Sequence, residues 1–248
     1  MSSKQARTAL VTGAAGAIGR SIVLALARRC QRLIVHDREA AGLAQLVTQL
    51  DTAAKVVQVS TDLTDLPSTR AAVASVLEQT NGADILVNCA GIASDRRPLE
   101  DLDDAYVQLQ MAINVYPAIA LAQLVIPGMK QRRWGRLINI SSVNGTVGVA
   151  NASAYNAAKG ALLSLTKGWA REFGEWGITA NAVAPGLIAT PMTESYGVEV
   201  LREKSKSAAL GRPGTPEEVA AVVDFLASEG ASYVTGQVVS PNGGSAIT

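Results

Sequence analysis

Residues 153–161 read SAYNAAKGA, a small, apolar, helix-prone stretch that carries a tyrosine and a lysine. Tyr155 and Lys159 are four residues apart, so on a helix they stack on one face within side-chain reach. A free phenol, with a pKa near 10, is too weak an acid to serve as a base at neutral pH. An ammonium held within a few ångströms favours the phenolate, and each unit of lowered pKa corresponds to about 1.4 kcal/mol. The pair can therefore do acid–base chemistry. Taken alone, it reads first as a half-buried tyrosine beside a solvated lysine.

A second chemical signal lies near the N-terminus. TGAAGAIG (12–19) follows an apolar strand-like run and opens a helical segment. Glycines there allow a tight turn and a close backbone approach to a pyrophosphate, while the helix N-terminus supplies N–H donors and partial positive charge. Asp37 ends the next apolar run, where a carboxylate can accept hydrogen bonds from an adenosine ribose. The plainer alternatives are an ordinary strand-to-helix turn and a helix-capping aspartate.

The elements that must hold these groups follow from the hydrophobic pattern. Strand-length apolar runs occupy 8–13, 32–37, 55–60, 84–91, 135–141 and 177–186, with a further one in 233–244. The first six are apolar on nearly every residue, as strands covered on both faces are. Helical spacing fills the intervals, with Ile18, Ile22, Ala25 and Leu26 on one face of the first. The alternation predicts a single α/β domain over residues 1–248, a doubly wound parallel sheet with helices on both faces. The helical stretch 102–131 contains Pro117 and Pro127, which predicts a kink or break.

Composition removes whole classes of function. A net charge of +1 offers nucleic acid or a membrane surface no strong field. The two cysteines, Cys30 and Cys89, suit buried thiols in a reducing compartment, and the single histidine, His36, leaves no histidine-rich metal site. No run of apolar residues approaches a membrane span, and the N-terminal MSSKQARTALVTG lacks a signal peptide's apolar region. These features predict a cytoplasmic protein with no metal, nucleic-acid or membrane partner.

Across its whole length the chain resembles the short-chain dehydrogenase/reductases of about 250 residues. That family's loop reads Thr-Gly, three residues, Gly, one residue, Gly; here Thr12-Gly13 and Gly19 match, and Ala17 stands where the middle glycine does. Gly16, one place earlier, is expected to supply the missing freedom. NCAG (88–91) is similar to the family's Asn-Asn-Ala-Gly, NISS (139–142) places Ser142 thirteen residues before Tyr155, and PGLIATPM (185–192) resembles the segment beside the nicotinamide. In the final TGQVVSPNGG (235–244), Pro241-Asn242 replace the family's apolar residue and aspartate.

The resemblance implies a nicotinamide cofactor held by Gly13, Gly16, Ala17, Ile18 and Gly19 at its phosphates. Asp37 and Arg38 would face the adenosine ribose, with Asp62 and Leu63 at the adenine. Asn88, Ala90 and Gly91 would flank it. Pro185, Gly186, Ile188 and Thr190 would lie at the nicotinamide, and Lys159 would hold its ribose while tuning Tyr155. Tyr155 becomes the base, Ser142 the hydrogen-bond donor to the substrate oxygen, and Asn114 the holder of a water that links Lys159 to solvent. Ser94, Arg96, Arg97, Ser142, Val143, Asn144, Val149, Tyr155 and Met192 would line the substrate pocket, a polar mixture suited to a polyol, sugar or anionic sugar derivative.

Asp37 favours NAD over NADP. The leading reading is an NAD-dependent dehydrogenase of a small-molecule secondary alcohol or sugar hydroxyl. The alternatives are a 3-oxoacyl-carrier-protein reductase and a non-catalytic NAD-binding scaffold. A carrier reductase would use basic residues at the site's mouth; Arg133 fits, but Trp176 stands where the second is expected. Family members commonly pair the helices of 102–131 and 152–175 between subunits, so a homotetramer is expected. His36 reads as a strand-end residue, and Trp134, Trp169 and Trp176 read as packing or subunit contacts.

Overall fold

Leu10 points to one side of the molecule while Ala9 and Val11 point to the other, and all three are fully buried. That two-residue alternation on a strand without polar positions requires cover on both faces. The strand is β1 (Thr8–Thr12), and a computed structural model places it in the middle of one sheet. Residues 7–51, 53–194 and 197–247 are described, without the side chains of Met192, Glu194, Val198, Val200 and Lys204.

The remaining strands are β2 (Arg32–Asp37), β3 (Lys55–Ser60), β4 (Ile85–Asn88), β5 (Gly135–Ile140), β6 (Ile178–Val183) and β7 (Val238–Val239). They lie in the order β3-β2-β1-β4-β5-β6-β7, every neighbouring pair parallel. One face is covered by α1 (Ala17–Leu26), α2 (Ala40–Thr48) and α10 (Pro216–Leu226), through Ile22, Leu26, Leu43, Val219 and Val223. The other is covered by α3 (Leu66–Thr80), α5 (Tyr116–Arg132) and α7 (Ser153–Phe173), through Val73, Leu121, Met129, Leu162 and Phe173. Each such side chain, fully buried, contributes roughly 1.5–3 kcal/mol. The smaller helices are α4 (Asp104–Asn114), α6 (Val143–Val147), α8 (Pro191–Glu194) and α9 (Val198–Ser205).

Two expectations change and one is met. The third strand is not covered on both faces: in β3 only Val59 is buried, because this strand is the sheet's edge. The long helical stretch breaks between α4 and α5, at Val115. Pro117 causes the break, since its ring and missing N–H fit the first turn of a new helix but not the interior of an old one; Pro127 is accommodated inside α5. Finally, no run of consecutive apolar residues is membrane-long, yet averaged hydropathy marks Asp104–Arg132 as long and apolar enough to cross a membrane. In the fold 56% of its apolar 18-residue window is buried.

The strand order reverses direction between β1 and β4. In open parallel sheets, ligands bind outside the carboxyl ends of the strands at such a point. The carboxyl ends of β1, β4, β5 and β6 carry Thr12-Gly13, Asn88–Gly91, Ser141-Ser142 and Pro185-Gly186, so these four motifs arrive at one rim.

Candidate active site

The glycine loop is built by contact. Gly13 has φ 65°, and a Cβ on it would lie 2.7 Å from Ala90 Cα. A Cβ on Gly19 would lie 2.0 Å from the Gly13 carbonyl oxygen, so only glycine lets the first turn of α1 sit on the loop. The freedom expected of Gly16 is not used: its φ of −70° and ψ of 161° suit any residue, and it serves as the N-cap of α1. Ala17 therefore replaces a family glycine without strain, because the left-handed turn is made at Gly13 alone among residues 13–19. Thr12 Oγ1, unassigned from the sequence, accepts from the Cys89 and Ala90 amides at 3.0 and 3.1 Å and pins β4's exit to β1.

Asp37 closes the other side of the loop. Its Oδ2 accepts from Ala15 N at 3.0 Å and its Oδ1 from Glu39 N at 3.1 Å. The capping alternative is thus partly realised, yet each oxygen retains a lone pair for a further donor. Arg38 is exposed and pairs with Glu39 at 3.4 Å. Asp62 Oδ1 accepts from Thr64 N and Oγ1, both at 2.8 Å, and these bonds hold its carboxyl below the usual range. Leu63 is buried beside it. His36 is buried, its Nε2 on Thr61 Oγ1 at 2.8 Å, and burial lowers its pKa.

Lys159, Ser142 and Asn114 meet the chain at or just beyond the ends of β5 and β4. Lys159 is buried, with Nζ donating to the Ile140 carbonyl at 3.0 Å and lying 5.8 Å from the centroid of the Tyr155 ring. Burial pushes this ammonium down to about 8, opposed by the Cys89 thiol, so it remains largely cationic at neutral pH. Burial also pushes the Cys89 thiol up to about 12. The helix reaches this position because Ser141 Oγ donates to the Lys159 carbonyl at 2.8 Å and Gly145 packs directly on the Lys159–Gly160 backbone. Ser142 caps α6, its Oγ accepting from Asn144 N at 3.2 Å.

Asn114 sits at the α4–α5 break. Its Nδ2 donates to the Gln110 carbonyl and to Gln110 Oε1, while its buried Oδ1 has no partner among the described residues. A Cβ on Gly91 would lie 2.6 Å from that Oδ1 and 3.1 Å from Lys159 Nζ. The orphaned amide oxygen and the ammonium thus face the same point, which only a glycine leaves open.

The pocket residues are less uniform. Ser94 Oγ accepts from Arg96 N at 3.1 Å, and Arg96, at φ 58°, donates one guanidinium N–H to the Ala150 carbonyl at 3.3 Å. Arg97 is held by Asp95 and Asp103 and lies 4.6 Å from the Tyr106 ring centroid, so it braces the loop. Val143 N donates to the Pro185 carbonyl at 3.1 Å, and the Val149 carbonyl accepts from Asn156 Nδ2 at 2.8 Å. Gly186 packs on Asn242, and Ile188 bridges to Gly214. Thr190 N donates to Thr193 Oγ1 at 2.8 Å. The expected Met192 contact lies outside the described residues. Trp169 packs in the core, and Trp134 lies between the Arg7 and Arg136 guanidiniums.

A family model described as enoyl-(acyl carrier protein) reductase matches residues 13–246. The 3-oxoacyl-[acyl-carrier-protein] reductase of Vibrio harveyi is 36% identical over 240 residues, covering 97% of each chain. The chain belongs to the short-chain dehydrogenase/reductase family. Among other members of this family, the cis-4-hydroxycyclohexanecarboxylate dehydrogenase of Sinomonas cyclohexanicum is 35% identical over 96% of both chains. The crystal structure of a putative gluconate dehydrogenase from Agrobacterium tumefaciens aligns with a TM-score of 0.93 and 30% identity, covering 99% of this chain and 98% of that one.

As a short-chain dehydrogenase/reductase the protein is an oxidoreductase that uses a nicotinamide cofactor and acts on small molecules. The residues present fit that cofactor. Gly13 and Gly19 form the close-packed turn that leads into the N-terminus of α1, where N–H donors and partial positive charge suit a phosphate, and the orphaned Asn114 Oδ1 and the Lys159 ammonium face one point beside Gly91.

Proposed function

We propose that the protein is an NAD-dependent dehydrogenase of a secondary alcohol, with a small polyol, sugar or anionic sugar derivative as substrate. The observation that carries this reading is the meeting of Asn114 Oδ1 and Lys159 Nζ beside Gly91, one helical turn from Tyr155. The bound nicotinamide supplies the hydride acceptor. Tyr155 takes the hydroxyl proton, made acidic enough for that task by the cation of Lys159. Ser142 hydrogen-bonds the substrate oxygen and stabilises the charge that develops there. Asn114 holds the path by which Lys159 exchanges the proton with solvent. Exposed Val107, Leu109 and Tyr116 on α4 and α5 support assembly of four subunits through these helices.

Incubating the protein with NAD and a panel of polyols, sugars and hydroxy acids, while following absorbance of the reduced cofactor, tests the reaction. A silent panel would point to a cofactor-binding scaffold. The curated carrier-protein reductases among the relatives favour a second reading, reduction of a 3-oxoacyl thioester. Against it, the Arg133 guanidinium donates to the Glu175 carbonyl at 2.7 Å, and Trp176 occupies the position expected of a second docking cation. Turnover of an acetoacetyl thioester with NADPH, exceeding that of every alcohol, would establish that reading instead.

NAD is expected to exceed NADP at least ~30-fold in kcat/KM, about 2 kcal/mol. The cause is Asp37, which would face the 2′-phosphate of NADP; at about 4 Å and an effective dielectric near 20 the repulsion is roughly 4 kcal/mol before screening. Asp37→Ser should erase most of the preference by removing the repulsion, with exposed Arg38 left to meet the phosphate. Faster turnover of NADP by the unmodified protein would remove Asp37 from the ribose. For an anionic substrate, Arg96→Ala should raise KM selectively, since among the described residues the Arg96 guanidinium donates one N–H to the protein while Arg97 is committed to two carboxylates. Equal effects on neutral and charged alcohols would discard the anion contact.

A further inference from the structure

Gln110 is completely buried on α4, one turn before Asn114. A buried primary amide is costly unless its donors and acceptor are met, and here they are met in a specific pattern. Nε2 donates to the Ala93 carbonyl and to the Tyr106 hydroxyl, both at 3.0 Å. Oε1 accepts from Asn114 Nδ2 at 2.8 Å. Asn114 Nδ2 spends its second N–H on the Gln110 carbonyl at 3.0 Å. Neither amide can be turned over. A flipped Asn114 would set its oxygen against two acceptors, and a flipped Gln110 would set an NH₂ against an NH₂.

The far side of the same amide belongs to the loop after β4. Tyr106 OH accepts from Asp95 N at 3.1 Å. Asp95 and Asp103 hold Arg97, whose guanidinium covers the Tyr106 ring. One continuous set of hydrogen bonds therefore runs from the pocket loop at 93–103 through Gln110 to Asn114, whose Oδ1 faces Lys159 beside Gly91.

We propose that Gln110 is a positioning residue: it ties the order of the pocket loop to the orientation of the Asn114 amide, so that the proton path is aligned when the loop is in place. The inference rests on the dehydrogenase reading above. Gln110→Leu fills similar space but removes both functions of the amide, leaving Asn114 Nδ2 held by the residue-110 backbone carbonyl alone and the Ala93 carbonyl without its Gln110 donor. It should lower kcat about 10- to 100-fold, the scale of a small misplacement in a site. It should also raise KM and move the rising limb of the kcat–pH profile to higher pH, a readout that simple loosening of the fold would leave in place. Tyr106→Phe loses the bond to Asp95 N but keeps Gln110 tied to both the Ala93 carbonyl and Asn114, so the loop loosens only beyond Ala93: KM should rise several-fold with kcat within twofold.

A folded Gln110→Leu protein with unchanged kcat and pH profile would overturn the proposal, as would a Tyr106→Phe protein that loses kcat without a change in KM. Should the leucine variant not fold, Gln110→Met, which keeps the length and loses the same bonds, carries the same comparison. Amide hydrogen exchange on the full chain separates this idea from the reaction itself. Gln110→Leu must speed exchange at Asp95, whatever the protein turns over. Unchanged exchange defeats the tie alone; faster exchange in the variant, with a parent that oxidises no alcohol, defeats the reaction alone.

Discussion

Tyr155→Phe is expected to leave the fold and cofactor binding intact while lowering kcat by roughly 10²–10⁴-fold, the range for loss of a general base. The substitution removes one oxygen from a half-buried ring on α7, and the packing of that helix through Leu162, Trp169 and Phe173 does not depend on it. Since the base acts in the transition state and adds little to ground-state binding, kcat and kcat/KM should fall together. Steady-state kinetics with the best alcohol found, alongside cofactor titration by fluorescence, checks both halves. Activity within a factor of two of the parent would take Tyr155 out of the mechanism.

Lys159→Met should move activity and stability in opposite directions. Turnover should collapse and cofactor affinity should drop with it, because one ammonium both tunes Tyr155 and meets the nicotinamide ribose. The cofactor-free protein should nonetheless melt at a higher temperature near neutral pH. Burial lowers the Lys159 pKa from 10.5 to about 8, so between those values the unfolded chain binds more protons than the folded one and parent stability rises with pH. Below pH 8 both states carry the proton and the folded state bears the whole burial penalty, up to about 3 kcal/mol. Methionine bears none, although it forfeits the bond to the Ile140 carbonyl. Its advantage should therefore be largest below pH 8 and fade towards pH 10.5. Thermal unfolding at pH 7 and pH 10 tests the sign; a variant less stable than the parent at pH 7 would show that the ammonium is held without cost.

Much of this arrangement was legible in the residues themselves. Six apolar runs marked the first six strands to within a few residues, because strands covered on both faces leave no room for polar positions. The edge strand was the exception: Val56, Val57 and Val59 read like a central strand, and only the order of the sheet reveals that one side of it lacks a neighbour. Pro117 foretold the break that puts Asn114 at a helix end. The function of Gly16 was misjudged because spacing shows where a glycine stands and not which dihedral it takes. Arg96 and Arg97 were indistinguishable as neighbours in a polar loop, and their fates diverged through Asp95, Asp103 and Tyr106. Gln110 had a visible signal, a second amide one helical turn before Asn114. That spacing carries meaning only once the loop carbonyl of Ala93 is known to lie above it.

The bond from Ala15 N to Asp37 Oδ2 has a bearing on any attempt to redesign this enzyme. The carboxylate that would sort one cofactor from the other is also the strut that braces the phosphate-binding turn. Replacing it changes two things in one stroke, the charge at the ribose and the rigidity of the cradle. A variant selected to accept the phosphorylated cofactor should thus bind every dinucleotide more loosely at first. Recovery should come from substitutions that give the Ala15 amide a new acceptor, not from further cations at the rim.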